Sequence, residues 1–376
     1  MPETIGVGFV GCTHPHILPR IQVLSNVPDV RLVGCYDPDA QLTATLETKY
    51  GLRALPSAAE LLDHPAVNFA IIEGWDTDNP RYAREALKHK HAILLEKPGA
   101  PNLGEMRALL AEVSQRAPFQ VGYMMSFSPA IEHAQRMLQC GLLGPITIGR
   151  FHAPGPVGAA REPCLSLPGD LGGVVYGDGA HMVDLMIRLL GVPWRVKGML
   201  LKLPPGPDVF AQDFIQDTLT QQSVQMPIGG VVHEDAGVAL FEYGDKLATF
   251  DMTAWGAQPW VESWTIELDG TDGTLHVGLQ PPWYRLFLRR PKAEYQAGWH
   301  SWEGTGVTGY KNSLVADANY WSELEHMLAR VRAWDTDNAP WIAEAEAVIA
   351  TLDAIYESHR KGDKVAVKLS RVRSGA

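Results

Sequence analysis

Residues 91 to 101 read His-Ala-Ile-Leu-Leu-Glu-Lys-Pro-Gly-Ala-Pro, and the fold class turns on this stretch. Ala92 to Leu95 is an unbroken apolar run. A strand buried on both faces of a parallel sheet loses the in-out alternation of a half-exposed one, so the run predicts such a strand. Glu96 and Lys97 follow at once, and Pro98-Gly99 stops the strand. Both charges then sit at the strand's carboxyl end, where open parallel sheets place their ligands. Lys97 is therefore a candidate functional residue, beside the plainer reading of a solvated charge pair.

The sequence before this stretch repeats the same grammar. Ile5 to Val10 predicts a strand, and a helix is expected from about His16 to Ser25, where Ile17, Ile21 and Leu24 recur at helical spacing. Gly6, Gly8 and Gly11 satisfy G-x-G-x-x-G literally, but that register leaves only Met1 to Ile5 for the strand. The motif needs its glycines after the strand, where backbone N–H groups meet a pyrophosphate at a helix N-terminus. The turn is therefore placed at Gly11-Cys12-Thr13-His14-Pro15-His16, with Thr13 and His16 in the second and third glycine places. Val30 to Tyr36 predicts a second strand ending at Asp37, which lies 26 residues past Gly11. An acid at that distance suits the ribose hydroxyls of a dinucleotide and repels a 2′-phosphate, which favours NAD over NADP. The alternative is that Asp37 or Asp39 only caps the helix Ala40 to Tyr50.

Strands at Val67 to Glu73 and Phe119 to Met124, and helices at Ser57 to Asp63, Pro80 to Lys90 and Asn102 to Arg116, complete the alternation. A β-α succession with short connections implies a doubly wound parallel sheet. Residues 1–125 are thus expected to form an NAD-binding Rossmann domain. The candidate cofactor contacts are Gly11, Cys12, Thr13 and His14 in the turn, Asp37, Trp75 after the next strand, and Glu96 with Pro98.

Beyond a helix at Pro129 to Leu143 the pattern changes. Val238 to Trp255 and Trp264 to Val277 alternate and carry the turn sequences Tyr243-Gly244-Asp245 and Asp269-Gly270-Thr271-Asp272-Gly273. These are hairpin signals, so residues 126–376 are expected to form an α+β domain with a large open, mainly antiparallel sheet. Two helices close it, Ala318 to Arg332 and Pro340 to Arg360, and Pro204 to Gln225 reads as a polar, proline-bearing loop. One stretch here is chemically dense. Gly172-Gly173 leads through Tyr176-Gly177-Asp178-Gly179-Ala180-His181 to Asp184 and an apolar helix ending at Leu190. On a helix, Asp178 and Asp184 flank His181 at i−3 and i+3. A histidine is the usual proton acceptor for an alcohol, whereas a lone histidine of this kind is more often structural.

A formal charge of −11 argues against nucleic acid, whose binding needs clustered basic residues. Four cysteines, Cys12, Cys35, Cys140 and Cys164, form neither a CxxC pair nor a disulfide framework and fit a reducing cytoplasm. No apolar run has the length of a membrane span, and the strand beginning at Ile5 leaves no room for a signal peptide. His14-Pro15-His16 offers two imidazoles, but a phosphate-loop position accounts for them with no metal.

Together these residues resemble the Gfo/Idh/MocA oxidoreductases, which include glucose-fructose oxidoreductase and inositol dehydrogenase. The resemblance rests on the strand-turn ending near Gly11, on Glu96-Lys97-Pro98, and on Gly172 to Asp184 with Gly179, His181 and Asp184. It extends to Leu268-Asp-Gly-Thr-Asp-Gly-Thr-Leu275 and to Ser358 to Val365. It implies that Lys97 is the catalytic lysine and His181 the proton-transfer histidine, acting on an alcohol in a cleft between two domains. NAD would be the cofactor, a sugar, polyol or cyclitol the substrate, and a homodimer or homotetramer the assembly. The sequence departs from the family in having Gly177 where an aspartate usually stands, so Asp178 is the candidate substitute. It has no histidine in Trp75 to Arg81, and Met124-Met125-Ser126 replaces a frequent arginine. Two other outcomes remain at this point: an NAD-dependent glycoside hydrolase of the same family, and a non-catalytic dinucleotide-binding regulator.

Overall fold

The computed structural model describes residues 4–113, 115–156, 172–212, 223–256, 264–279, 282–304 and 316–370. The chain divides into two compact units. One comprises Met1–Ser128, Leu167–Asp170 and Thr305–Ala345, the other Pro129–Ser166, Leu171–Gly304 and Glu346–Ala376.

The first unit is built on β1 (Ile5–Val10), β2 (Val30–Tyr36), β3 (Phe69–Ile72), β4 (Ala92–Glu96) and β5 (Phe119–Gly122). Every pairing is parallel and the spatial order is β2-β1-β3-β4-β5. β1, β3, β4 and β5 are buried at every position, as unbroken apolar runs require. Strand order reverses between β1 and β3, which opens the crevice at a topological switch point. The intervening helices are α1 (Ile17–Leu24), α2 (Ala40–Tyr50), α3 (Ala58–Leu62), α4 (Asn79–Lys88) and α5 (Leu103–Glu112). Their starts follow from local chemistry. Asp39 accepts from the N–H groups of Gln41 and Leu42 at 2.9 and 3.2 Å, Ser57 from Glu60 at 3.1 Å, and Asn102 from Glu105 at 3.0 Å. α5 stops at Glu112, short of the expected Arg116, because Val113 is extended (ψ 117°).

A helix from the far end of the chain, Ala316–Ala333, also belongs to this unit and packs against α1. The segment after it closes the edge of the sheet. Asn338 accepts from the Phe119 N–H at 2.9 Å and donates to Ala117 O at 2.9 Å, while Arg330 donates to Phe119 O at 2.9 Å. The edge strand's polar backbone is thus satisfied by side chains.

The second unit contains α6 (Pro129–Gln139), α7 (Val174–Gly177), α8 (Gly179–Leu190) and a nine-stranded sheet. The sheet is antiparallel throughout except where Ile146–Pro156 pairs in parallel with Leu247–Gly256. One face, with Ala239, Phe241, Ala248 and Phe250, is buried; α8 packs on Ile146–Pro156, and α7 on Ala236–Glu242 and Leu247–Gly256. The expectation of a loop over Pro204 to Gln225 is corrected: Asp208–Gln212 pairs antiparallel with Ser223–Pro227. Prolines at 204, 205 and 207 gave the segment its loop composition, yet they precede the paired residues. Residues 213–222 and Cys164 lie outside the described residues; among those described, Cys12, Cys35 and Cys140 are free thiols. No described helix is long and apolar enough to cross a membrane.

Candidate active site

Gly11 begins the turn with φ +74°, and a Cβ there would lie 2.6 Å from the Gly74 Cα and N. The ends of β1 and β3 approach so closely that only glycine fits. The Gly11 N–H donates to Tyr36 O at 2.8 Å, that of Cys12 to the Asp37 carboxylate at 2.7 Å, and that of His14 to Glu73 O at 2.9 Å. The turn is thereby lashed to the carboxyl ends of β2 and β3. The Thr13 hydroxyl lies 3.4 Å from Glu73 O.

Asp37 is not the helix cap, since Asp39 takes that role. The Asp37 carboxylate instead receives the N–H groups of Cys12 and Asp39, the latter at 2.9 Å. Burial raises its pKa, against those two hydrogen bonds. Asp37 thus stands at the end of β2 against the glycine turn, where an adenosine ribose is bound in Rossmann domains. Burial also raises the Cys12 thiol's pKa, with Cys35 adding to it. Trp75 opens the connection into α4, its carbonyl accepting from Asp78 and Asn79 at 2.8 Å each. A close-approach glycine pair and an acid at the β2 end fit a dinucleotide without a 2′-phosphate.

Below the turn lies a group that local sequence patterns did not reveal. Arg20 is fully buried on α1 and donates to three carboxylates: Glu73, Glu96 at 2.6 Å, and Glu323 at 3.1 and 3.3 Å. Glu323 stands 303 residues further along the chain, on the helix Ala316–Ala333. Burial opposes the Arg20 charge, but Glu323, Glu73 and Glu96 outweigh it and hold the pKa well above its ordinary value. Burial pushes Glu73 well up, and Glu323 up to about 7, Arg20 opposing in both cases. His14 and His16 join on the other side of Glu96, whose Oε1 is 2.9 Å from His16 Nδ1 and 3.6 Å from His14 Nδ1. Burial lowers the pKa of both imidazoles, and the Lys97 charge lowers them further. Lys97 itself is 2% exposed, and Lys97-Pro98 is a cis peptide.

His181 and Asp178 belong to the second unit. His181 is the third residue of α8, buried, with its ring edge-on to Trp264 at 6.2 Å. Its N–H donates to the Asp178 carbonyl at 3.1 Å, and the buried Asp184 lies 3.5 Å from Arg188 one turn on. The glycine-rich entry to this helix is held by Glu234, which the sequence reading missed. The Glu234 carboxylate accepts from the N–H groups of Gly173 (2.9 Å) and Val175 (3.0 Å) and from the Tyr356 hydroxyl (2.6 Å). A Cβ on Gly172 would lie 1.9 Å from that hydroxyl, so glycine is sterically required at this position.

A parallel sheet with its tight turn and acid at the switch point defines a dinucleotide-binding Rossmann protein. Residues 4–123 match the family model described as "Oxidoreductase family, NAD-binding Rossmann fold", and residues 131–276 that described as "GFO/IDH/MocA C-terminal domain". The chain belongs to the Gfo/Idh/MocA oxidoreductase family, and its cofactor is NAD. It is 24% identical over 142 residues to inositol 2-dehydrogenase 3 of Saccharopolyspora erythraea, covering 37% of this chain and 40% of that protein. It is 24% identical over 280 residues to scyllo-inositol 2-dehydrogenase (NAD(+)) of Bacillus subtilis, covering 73% and 72%. The structure of levoglucosan dehydrogenase with NADH and levoglucosan superposes with a TM-score of 0.78 at 16% identity, covering 97% of this chain and all (100%) of that one.

Proposed function

We propose that the protein transfers hydride between NAD and a secondary alcohol or ketone of a sugar, polyol or cyclitol. The observation that carries the reading is Lys97: a buried lysine at the carboxyl end of β4, in the unit that carries the NAD turn. The nicotinamide, when bound, supplies the hydride acceptor. In the oxidation direction His181 takes the hydroxyl proton, and Lys97 hydrogen-bonds the substrate oxygen and stabilises the charge that develops there. Asp178, beside His181 in the chain, stands in for the family aspartate absent at Gly177. The turn residues Gly11, Cys12, Thr13 and His14 form the cofactor platform, with Asp37 on the ribose and Trp75 and Pro98 bordering the nicotinamide end, while Glu96, fully buried against Arg20 and His16, supports the turn from beneath.

Substrate class follows the inositol dehydrogenases among the relatives. A homo-oligomer is supported by one face of the nine-stranded sheet, where Met199, Leu201, Val238, Leu240 and Leu247 are all exposed. The cysteine pattern supports a cytoplasmic location. The test is NADH formation with a panel of inositols, levoglucosan and other polyols. One or more should turn over with the wild type, while Lys97→Ala loses the rate and keeps NAD affinity. A wild-type rate in Lys97→Ala, or no turnover by an NAD-binding wild type across the panel, overturns the assignment.

A further inference from the structure

His14, His16 and Glu96 come from two segments, the turn before α1 and the end of β4, and meet in a buried cluster. Each offers one ligand atom, and these atoms all lie within 4.8 Å of one another; this is the group of that kind found among the described residues. The relative exposures are 6% for both histidines and 0% for Glu96. Two imidazoles and one carboxylate are the mixed nitrogen and oxygen donors that borderline divalent metals take. We propose that His14, His16 and Glu96 bind one divalent transition-metal ion, of the zinc or cobalt class, pinning the cofactor turn to the end of β4.

The placement of Glu96 supports this. Arg20 holds the Glu96 carboxylate by Oε2, and Oε1 of the same carboxylate faces both imidazoles. Ligation competes with contacts present without metal: the His16 N–H donates to His14 Nδ1 at 3.3 Å, and His16 Nδ1 approaches Glu96. A metal replaces these by turning the rings, with contraction of the cluster toward bond lengths of about 2.0–2.2 Å. The ion would lie under the turn and serve as a structural pin, independent of which alcohol the enzyme oxidises.

The experiment is a cobalt(II) titration of the full chain after chelator treatment, read by visible ligand-field absorption and by elemental analysis after desalting. One equivalent should bind with a saturating spectrum. In His14→Asn and His16→Asn, checked for fold by circular dichroism, affinity should fall at least about 100-fold, beyond the loss typical of disturbing only a ligand's neighbours. No saturable absorption with the wild type sinks the proposal without any variant. Undiminished affinity in both folded variants also sinks it, by placing the metal elsewhere. Neither result depends on turnover, so failure here is separable from failure of the dehydrogenase reading.

Discussion

Glu323→Gln tests the charge balance beneath the cofactor turn. Burial moves the Glu323 carboxyl from its ordinary 4.5 to about 7 in the folded chain, against the pull of Arg20. The folded state therefore holds this proton more tightly than the unfolded state does. The stabilisation is fully present below about pH 4.5 and is lost as pH rises through 7. A rise from 4.5 to about 7 corresponds to about 3 kcal/mol at 1.36 kcal/mol per pH unit. Glutamine keeps an acceptor for Arg20 and cannot ionise, so the variant escapes that loss. Urea unfolding with chelator present, followed by circular dichroism from about pH 4.5 to about pH 8, measures both proteins. The stability of Glu323→Gln minus that of the wild type should grow by about 3 kcal/mol across the range. A constant difference would mean that Glu323 titrates at the same pKa in the folded and unfolded protein. A difference that narrows with rising pH would reverse the sign of the argument, and either result refutes it.

Gly11→Ala places a Cβ 2.6 Å from the Gly74 backbone at φ +74°. The left-handed conformation alone costs about 1–2 kcal/mol, and the turn must also shift away from β3. NAD affinity by calorimetry should fall by more than tenfold, and an unchanged affinity would remove the turn from the cofactor platform. Tyr356→Phe deletes the 2.6 Å donor to Glu234 and leaves a buried carboxylate oxygen short of one partner. The expected cost is about 1–3 kcal/mol, seen as a lower melting temperature, and an unmoved midpoint would show that Glu234 is satisfied by the Gly173 and Val175 N–H groups alone.

What the sequence made legible was whatever a short window determines. The runs Ile5–Val10 and Ala92–Leu95 announce buried parallel strands. Ser57, Asn102 and Asp39 announce helix starts, and the Tyr243-Gly244-Asp245 and Asp269 to Gly273 turns announce hairpins. Each rests on contacts between residues a few places apart. Asp37 and Asp39 were indistinguishable as caps because both precede α2 closely. The folded chain separates them: Asp39 takes the Gln41 and Leu42 N–H groups, while Asp37 takes that of Cys12 from another strand's end. Glu234 carries no local signal, because its partners Gly173, Val175 and Tyr356 lie far from it in sequence. The histidine pair at 14 and 16 was assigned to the cofactor turn, and its closeness to Glu96 had no local signal because Glu96 ends a different strand.

One trace of the buried cluster was nevertheless present. α1 reads Ile-Leu-Pro-Arg-Ile-Gln-Val-Leu, and Arg20 falls three places from Ile17 and four from Leu24, on the face those residues bury. A guanidinium in such a position must find carboxylates, because an unpaired buried charge is far too costly. Candidates follow from the strand register alone. Ile72 pairs with Leu95 in parallel, so Glu73 and Glu96 leave their strands at the same level, side by side. Two acids on neighbouring strand ends repel unless a cation lies between them, and Arg20 is that cation. Sheet register and a helix face together point to the first two partners. Glu323 is a different case, since no local rule reaches a helix that returns from beyond the second unit. Glu96 is therefore engaged by Arg20 and His16, while its neighbour Lys97 is the residue read for chemistry. Adjacent charges that looked like one pair in the sequence are thereby proposed to serve two separate tasks.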